Sequence, residues 1–228
     1  MNKYFMLTTT GRIADIYIFG DITSWEWLES DVSSYTLSKE LQGLDVDQIN
    51  VHISSYGGEV AEGLAIYNTL RSHKAKIRTV CDGFACSAAS VIFMAGDERV
   101  MNAASLLMIH NAWTYASGNA DELRRQADDL DKISTAVTAA YTGKINITAE
   151  KLKELLDAET WLLPTDALDM GFATSIVSDA VSNKAVASAK KSLYQLVAKS
   201  RTQDKQPKEQ EPPKQSENKL LKFFNALV

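Results

Sequence analysis

Along the first two-thirds of the chain, apolar positions fall in two alternating rhythms. Short runs with period two are separated by longer runs with helical spacing. DIYIFGDI sets Ile16 and Ile18 two apart, and DQINVHISS repeats the pattern through Ile49, Val51 and Ile53; both predict strands. Tyr56-Gly57-Gly58 is a turn signal, after which EVAEGLAIYNTLRSHK puts Val60, Leu64, Tyr67 and Leu70 on one helical face. KIRTVCD predicts the next strand, SAASVIFMAG the next helix, and ERVMNAASLLMIHN a return to strand. Repeated β–α crossovers of this kind predict the α/β class, with a parallel sheet and helices packed on it. From Asn119 a stripe of Leu123, Ala127, Leu130, Ile133, Val137 and Tyr141 predicts one long helix over about 119–143. At about 1.5 Å per residue it would measure on the order of 35 Å, long enough to project from a small domain and meet another subunit.

The rhythm lapses near residue 180. The expected organisation is a folded domain over 1–180, a helical extension over 181–200, a disordered linker over 201–218 and a short amphipathic end over 219–228. The linker, RTQDKQPKEQEPPKQSEN, holds three of the four prolines and almost no apolar residue. The end, KLLKFFNALV, spaces Leu220, Leu221, Phe224 and Leu227 for docking onto this chain or a partner.

Charge sharpens this division. The net charge of −5 over 228 residues hides a body that is strongly acidic and a tail, 181–228, with ten Lys/Arg against four Asp/Glu. An acidic body is no footprint for nucleic acid. At 45% hydrophobic residues, with no apolar run near the roughly 20 that a membrane span needs, a soluble globular chain is expected. MNKYFMLTTTGR lacks the layout of a secretory signal, so the expected location is cytoplasmic. Cys81 and Cys86 form no CxxC pair and have no second pair to complete a zinc site, so free thiols and no metal are expected.

Three places carry candidate chemistry. In DGFACSAAS, Ser87 sits among residues small enough for a substrate backbone to approach, although small residues serve tight packing equally well. A serine at a strand-to-helix turn also meets the free N–H groups of the helix start. His110 ends the apolar run SLLMIHN, where open α/β sheets present reactive side chains, whereas His52 and His73 read as structural or solvent-facing. Ser55-Tyr56-Gly57-Gly58 would present backbone N–H groups to an oxyanion, or serve merely as a turn.

Taken in order, these stretches resemble the ClpP family, the Clp protease proteolytic subunits. ISSYGGEVAEGLAIYNTL is similar to the family's glycine-pair segment, GFACSAASVIFMAG to its serine motif and LLMIHNAW to its histidine motif. YTGKINITAEKLKELLDAETWLLPTDALDMGFA is similar to its C-terminal segment, and the resemblance runs from about residue 12 to 178. It implies the Clp/crotonase fold, a spiral of β–β–α units, and a serine peptidase assembled as a homo-oligomeric ring without metal or organic cofactor. Position by position it implies Ser87 as nucleophile, His110 as general base and the N–H groups of Gly58 and Ala88 as oxyanion donors. The family's aspartate aligns with Glu159, with Asp157 the competing acid if that piece is extended; Tyr56 stands where the family usually has proline.

Few residues precede the first predicted strand, and the proline- and lysine-rich tail is foreign to the housekeeping subunits. Both features resemble the head maturation (prohead) proteases of tailed phages and prophages, implying capsid or scaffold precursors as substrates. The alternatives are a general proteolytic subunit working with an ATP-dependent unfoldase, and a catalytically silent ring used in assembly. An acyl-CoA enzyme of crotonase type is disfavoured, because it has no use for a serine–histidine pair at these positions.

Overall fold

The computed structural model describes residues 7–28 and 30–177; the expected extension, linker and amphipathic end of 181–228 lie outside the described residues. The chain opens with a hairpin, β1 (Leu7–Thr10) antiparallel to β2 (Ile13–Ile18). Gly11, at φ +64°, supplies the left-handed residue that the tight connection needs. β1 was not foreseen, because Thr8, Thr9 and Thr10 are exposed and the strand is held by backbone pairing rather than by an apolar face.

Parallel pairing then builds the sheet. β2 pairs with β3 (Gln48–Ser55), β3 with β4 (Lys76–Cys86), β4 with β5 (Glu98–Asn102), and β5 with β8 (Ser175–Val177). Off this path, β6 (Leu106–Ile109) pairs parallel with β4 and antiparallel with β7 (Thr160–Leu162). The sheet is therefore mixed, with antiparallel pairs at β1–β2 and β6–β7. β3 alternates strictly, burying Ile49, Val51 and Ile53 and leaving Gln48, Asn50 and His52 half-buried on the opposite face. That is the pattern of a sheet with one face on the core.

The buried face is covered by α1 (Ser34–Leu41), α2 (Val60–Ser72) and α3 (Ala88–Phe93). In α2 the buried centre is Gly63, Ile66 and Leu70; Val60, Leu64 and Tyr67 pack on the edge of the core, so the apolar face is rotated from the one read in the sequence. Gly63 faces α3, where an added Cβ would lie 2.9 Å from the Ala88 Cβ. The small residues around Ser87 do serve a tight helix contact.

β4 runs further than KIRTVCD. Residues 78–81 pair with β5 and residues 84–86 with β6, so the strand changes partner at Asp82 and Gly83 instead of turning there. Gly83 permits this by close approach, since a Cβ on it would stand 2.7 Å from the Ser54 hydroxyl.

The predicted long helix is α4 (Ala120–Thr142), opened by Asn119, whose side chain accepts from the N–H groups of Asp121 and Glu122 while Glu122 reaches back to the Asn119 N–H. Only Val137, Ala140 and Tyr141 of this helix are buried; Leu123 and Ile133 of the predicted stripe are exposed. After it come α5 (Ala149–Asp157), β7, α6 (Pro164–Asp169) and β8. The buried Arg99 guanidinium donates to the carbonyls of Gly96, Gly171 and Phe172, tying the approach to β8 back onto β5. Among the described residues no helix is long and apolar enough to cross a membrane.

Candidate active site

The β4–β6 register brings Ser87 and His110 together. Cys86 stands opposite Met108, so both strands end at the same edge, Ser87 one residue on and His110 two. The Ser87 N–H donates to the Met108 carbonyl at 2.9 Å, fixing the serine to the strand that delivers the histidine. Ser87 has φ 54° and ψ −124°, a conformation that costs a non-glycine residue about 1–3 kcal/mol and aims its side chain off the strand. Its Oγ lies 2.7 Å from His110 Nε2. Burial pushes the His110 pKa below that of an ordinary histidine, while the Glu159 charge and the Asn111 backbone pull the other way. At neutral pH the ring is neutral and able to accept the Ser87 proton.

The two candidate acids part company. In the antiparallel β6–β7 ladder Ile109 faces Thr160, and one further step of the same register sets Glu159 opposite His110. Glu159 follows the C-terminus of α5 in a left-handed conformation, φ 48°, with its N–H on the Leu156 carbonyl at 3.2 Å. Asp157 is the last residue of α5 rather than part of an extended piece, so the assumption that put it on the same side as Glu159 does not hold. Its carboxylate takes the Lys153 ammonium at 2.6 Å and the Asn111 amide at 2.7 Å, which hold its pKa below the usual range.

Gly57 and Gly58 lie against the serine. Both have left-handed φ, +103° and +148°. The Gly57 carbonyl accepts from the Ile22 N–H at 2.9 Å and the Glu59 N–H donates to the Ile22 carbonyl at 2.7 Å, so residue 22 clamps the pair from both sides. A Cβ on Gly57 would fall 2.7 Å from the Ser87 Cβ, and one on Gly58 only 2.0 Å from the Ile22 oxygen. No other residue fits either place. Ala88, in the first turn of α3, has no intrahelical carbonyl for its N–H. α3 has only six residues, so this local N–H matters more than any helix dipole.

The three groups open into a cleft of about 490 Å³ walled by Val60, Val91, Trp113, Val137 and Tyr141. Glu59 also lines it, kept ionised by the hydroxyls of Ser24 and Thr23. Tyr56 is exposed and meets Phe84 edge-on at 5.4 Å.

His52 holds Asp82 at 2.8 Å on the other sheet face, and the His73 ring accepts from the Ala75 N–H. Cys81 and Cys86 are free and buried, and burial pushes both pKa values up to about 12, so both thiols keep their protons at neutral pH. Among the described residues no cluster of His, Cys, Asp or Glu could hold a metal. Sequence reasoning passed over Ser90, whose hydroxyl meets both the Ser87 carbonyl and the Tyr141 hydroxyl. The one signal for it was a polar residue inside an apolar helix.

The profile of the Clp protease family matches residues 31–180. The ATP-dependent Clp protease proteolytic subunit of Deinococcus radiodurans is 33% identical over 139 residues, 60% of this chain and 68% of that protein. The subunit of the same name from Borrelia garinii subsp. bavariensis is 29% identical over 168 residues, 71% of this chain and 83% of that one. With a family profile covering well over half of its length, this chain belongs to the Clp protease family and is a serine-type peptidase.

Proposed function

We propose that the chain is an endopeptidase in which Ser87, His110 and Glu159 carry acyl transfer, with Gly58 and Ala88 as oxyanion donors. The observation that carries this is the 2.7 Å contact between Ser87 Oγ and His110 Nε2 at the mouth of the cleft. As Oγ bonds to the scissile carbonyl carbon, its proton passes to His110 Nε2 and the carbonyl π pair moves to oxygen, facing the N–H groups of Gly58 and Ala88. Collapse of the adduct expels the amine, which takes the proton from His110 and leaves the acyl group on Ser87. Water then repeats the sequence with His110 as base, releasing the acid and restoring the serine. Glu159 orients the imidazole and offsets the charge it gains.

Incubation with a fluorophosphonate serine probe, with the adduct located by peptide mass spectrometry, tests this. Labelling at Ser87 that is lost in Ser87→Ala supports the mechanism; an unlabelled wild-type assembly would favour the silent ring.

Two settings for that activity differ in how substrate arrives. The relatives' names describe proteolytic subunits of an ATP-dependent protease, which supports a ring fed by an unfoldase. The basic, proline-bearing stretch after the domain supports the head maturation setting, with capsid or scaffold precursors as substrates. Degradation of a folded protein only when an unfoldase and ATP are added would select the first. Cleavage of precursor proteins without either would select the second.

A further inference from the structure

We infer that Tyr141 and Ser90 are positioning residues, setting the oxyanion donor at Ala88 by fixing the far end of the same peptide group. The inference rests on the acyl-transfer reading above. The Ala88 N–H and the Ser87 carbonyl belong to one peptide unit, so whatever holds the carbonyl also aims the N–H. The Ser90 hydroxyl donates to that carbonyl at 2.6 Å, and the Ser90 N–H donates to it at 2.9 Å. The Ser90 hydroxyl also lies 2.7 Å from the Tyr141 hydroxyl.

Proton counting settles the direction of this chain. Ser90 has one hydroxyl proton, and it is spent on the Ser87 carbonyl, so Tyr141 must donate to Ser90. Tyr141 is able to do so: burial pushes its pKa up to about 12, and it keeps its proton at neutral pH. The relay runs from Tyr141 to Ser90 to the Ser87 carbonyl and, across the peptide, to the Ala88 N–H.

Two consequences follow. Ser87 is in a sparsely populated conformation, and a peptide plane that follows such a residue needs outside restraint to keep one orientation. Donors on its oxygen also polarise the amide, strengthening the N–H that would meet the oxyanion. The anchor is well chosen. Tyr141 is 1% exposed, meets Phe172 edge-on at 5.9 Å and lies in the buried end of α4, so its ring cannot swing away when substrate enters.

The test compares Tyr141→Phe, Ser90→Ala and the double variant in the full-length assembly, with a fluorogenic peptide and a peptide boronic acid that forms a tetrahedral adduct on serine. Ser90→Ala removes the hydroxyl's bond to the carbonyl, leaving the backbone N–H groups of Ser90 and Val91 on it, and should lower kcat about 10- to 30-fold, less than the 10²–10³ lost with an oxyanion donor itself. Tyr141→Phe keeps the ring, and should lower kcat about threefold to tenfold. In both, KM should stay within about twofold while boronate affinity falls with kcat, because the effect belongs to the tetrahedral state. The double variant should match Ser90→Ala, since Tyr141 acts only through Ser90.

Unchanged kcat and boronate affinity in folded Ser90→Ala would overturn the inference, as would losses that add in the double variant or fall on KM alone. Should Tyr141→Phe not fold, Ser90→Ala decides by the same split between kcat and KM. A wild-type protein that neither reacts with the fluorophosphonate at Ser87 nor cleaves peptide would instead remove the acyl-transfer reading on which this rests.

Discussion

His52 lies within one strand of the sheet and His110 just past the end of another, and each has a side-chain partner within 3 Å, yet their surroundings differ in kind. His52 stands inside β3, stacked on Tyr17 at 4.8 Å between rings and held by the Asp82 carboxylate, which Asn102 holds in turn. His110 stands just past the end of β6, with a hydroxyl rather than a carboxylate on Nε2 and an open cleft beside it. A histidine beside a carboxylate is therefore a poor mark of chemistry by itself. What separates the two is position at a strand end, a strained serine within reach and space for a third molecule.

The strongest break of that comparison is deletion. Ser87→Ala and His110→Ala should each lower kcat/KM on the order of a millionfold, because members of such a unit fail together. His52→Ala should stay within about threefold on the same peptide substrate, as a side chain outside the cleft that serves the sheet face. A loss in His52→Ala comparable to that in His110→Ala would erase the distinction.

The acid comes next. Glu159→Gln should cost roughly 10²–10⁴ in kcat, whereas Asp157→Asn, which disturbs only the contacts with Lys153 and Asn111, should cost less than about threefold. The reverse ranking would move the third role to Asp157.

The pH profile sharpens the same pair. Burial lowers the His110 pKa, so the proton-free base persists further into acid than an ordinary histidine near pH 6.5 allows, and the acid limb of kcat/KM should lie below that value. Glu159 pulls this pKa upward. In Glu159→Gln the limb should therefore move to still lower pH even as the rate falls, and in Asp157→Asn it should not move. A limb that moves upward in Glu159→Gln would contradict the assignment of that charge to His110.

Much of this site was legible in the sequence because strand ends, glycine pairs and a serine among small residues leave local signals. Gly57 and Gly58 could be read that way, and the contacts that an added Cβ would make show why nothing else would fit. The reach of β4 was not legible, since Gly83 looks like a turn until its neighbour Ser54 is known. Nor was β1, whose threonines carry no apolar alternation. The choice between Asp157 and Glu159 depended on where α5 stops, and helix ends are the least certain part of any reading from sequence. The Ser90–Tyr141 bond joins residues 51 positions apart, and no local pattern announces it.

The smallest effect separates stability from function at one residue. Glu159 holds φ 48°, which costs an L-residue with a Cβ about 1–2 kcal/mol relative to glycine. Glu159→Gly releases that strain but gives the unfolded chain extra freedom worth roughly 0.5–1 kcal/mol. The balance should leave the variant more stable by about 0.5–1 kcal/mol, a rise of about 1–4 °C in Tm for a domain of this size. Calorimetry on the same sample that reports peptide hydrolysis would show the two quantities moving in opposite directions, Tm up and kcat down by at least the Glu159→Gln loss. A glycine at 159 that lowered Tm would mean that the glutamate side chain holds the α5–β7 corner by more than its backbone strain costs, and that its place there is structural before it is catalytic.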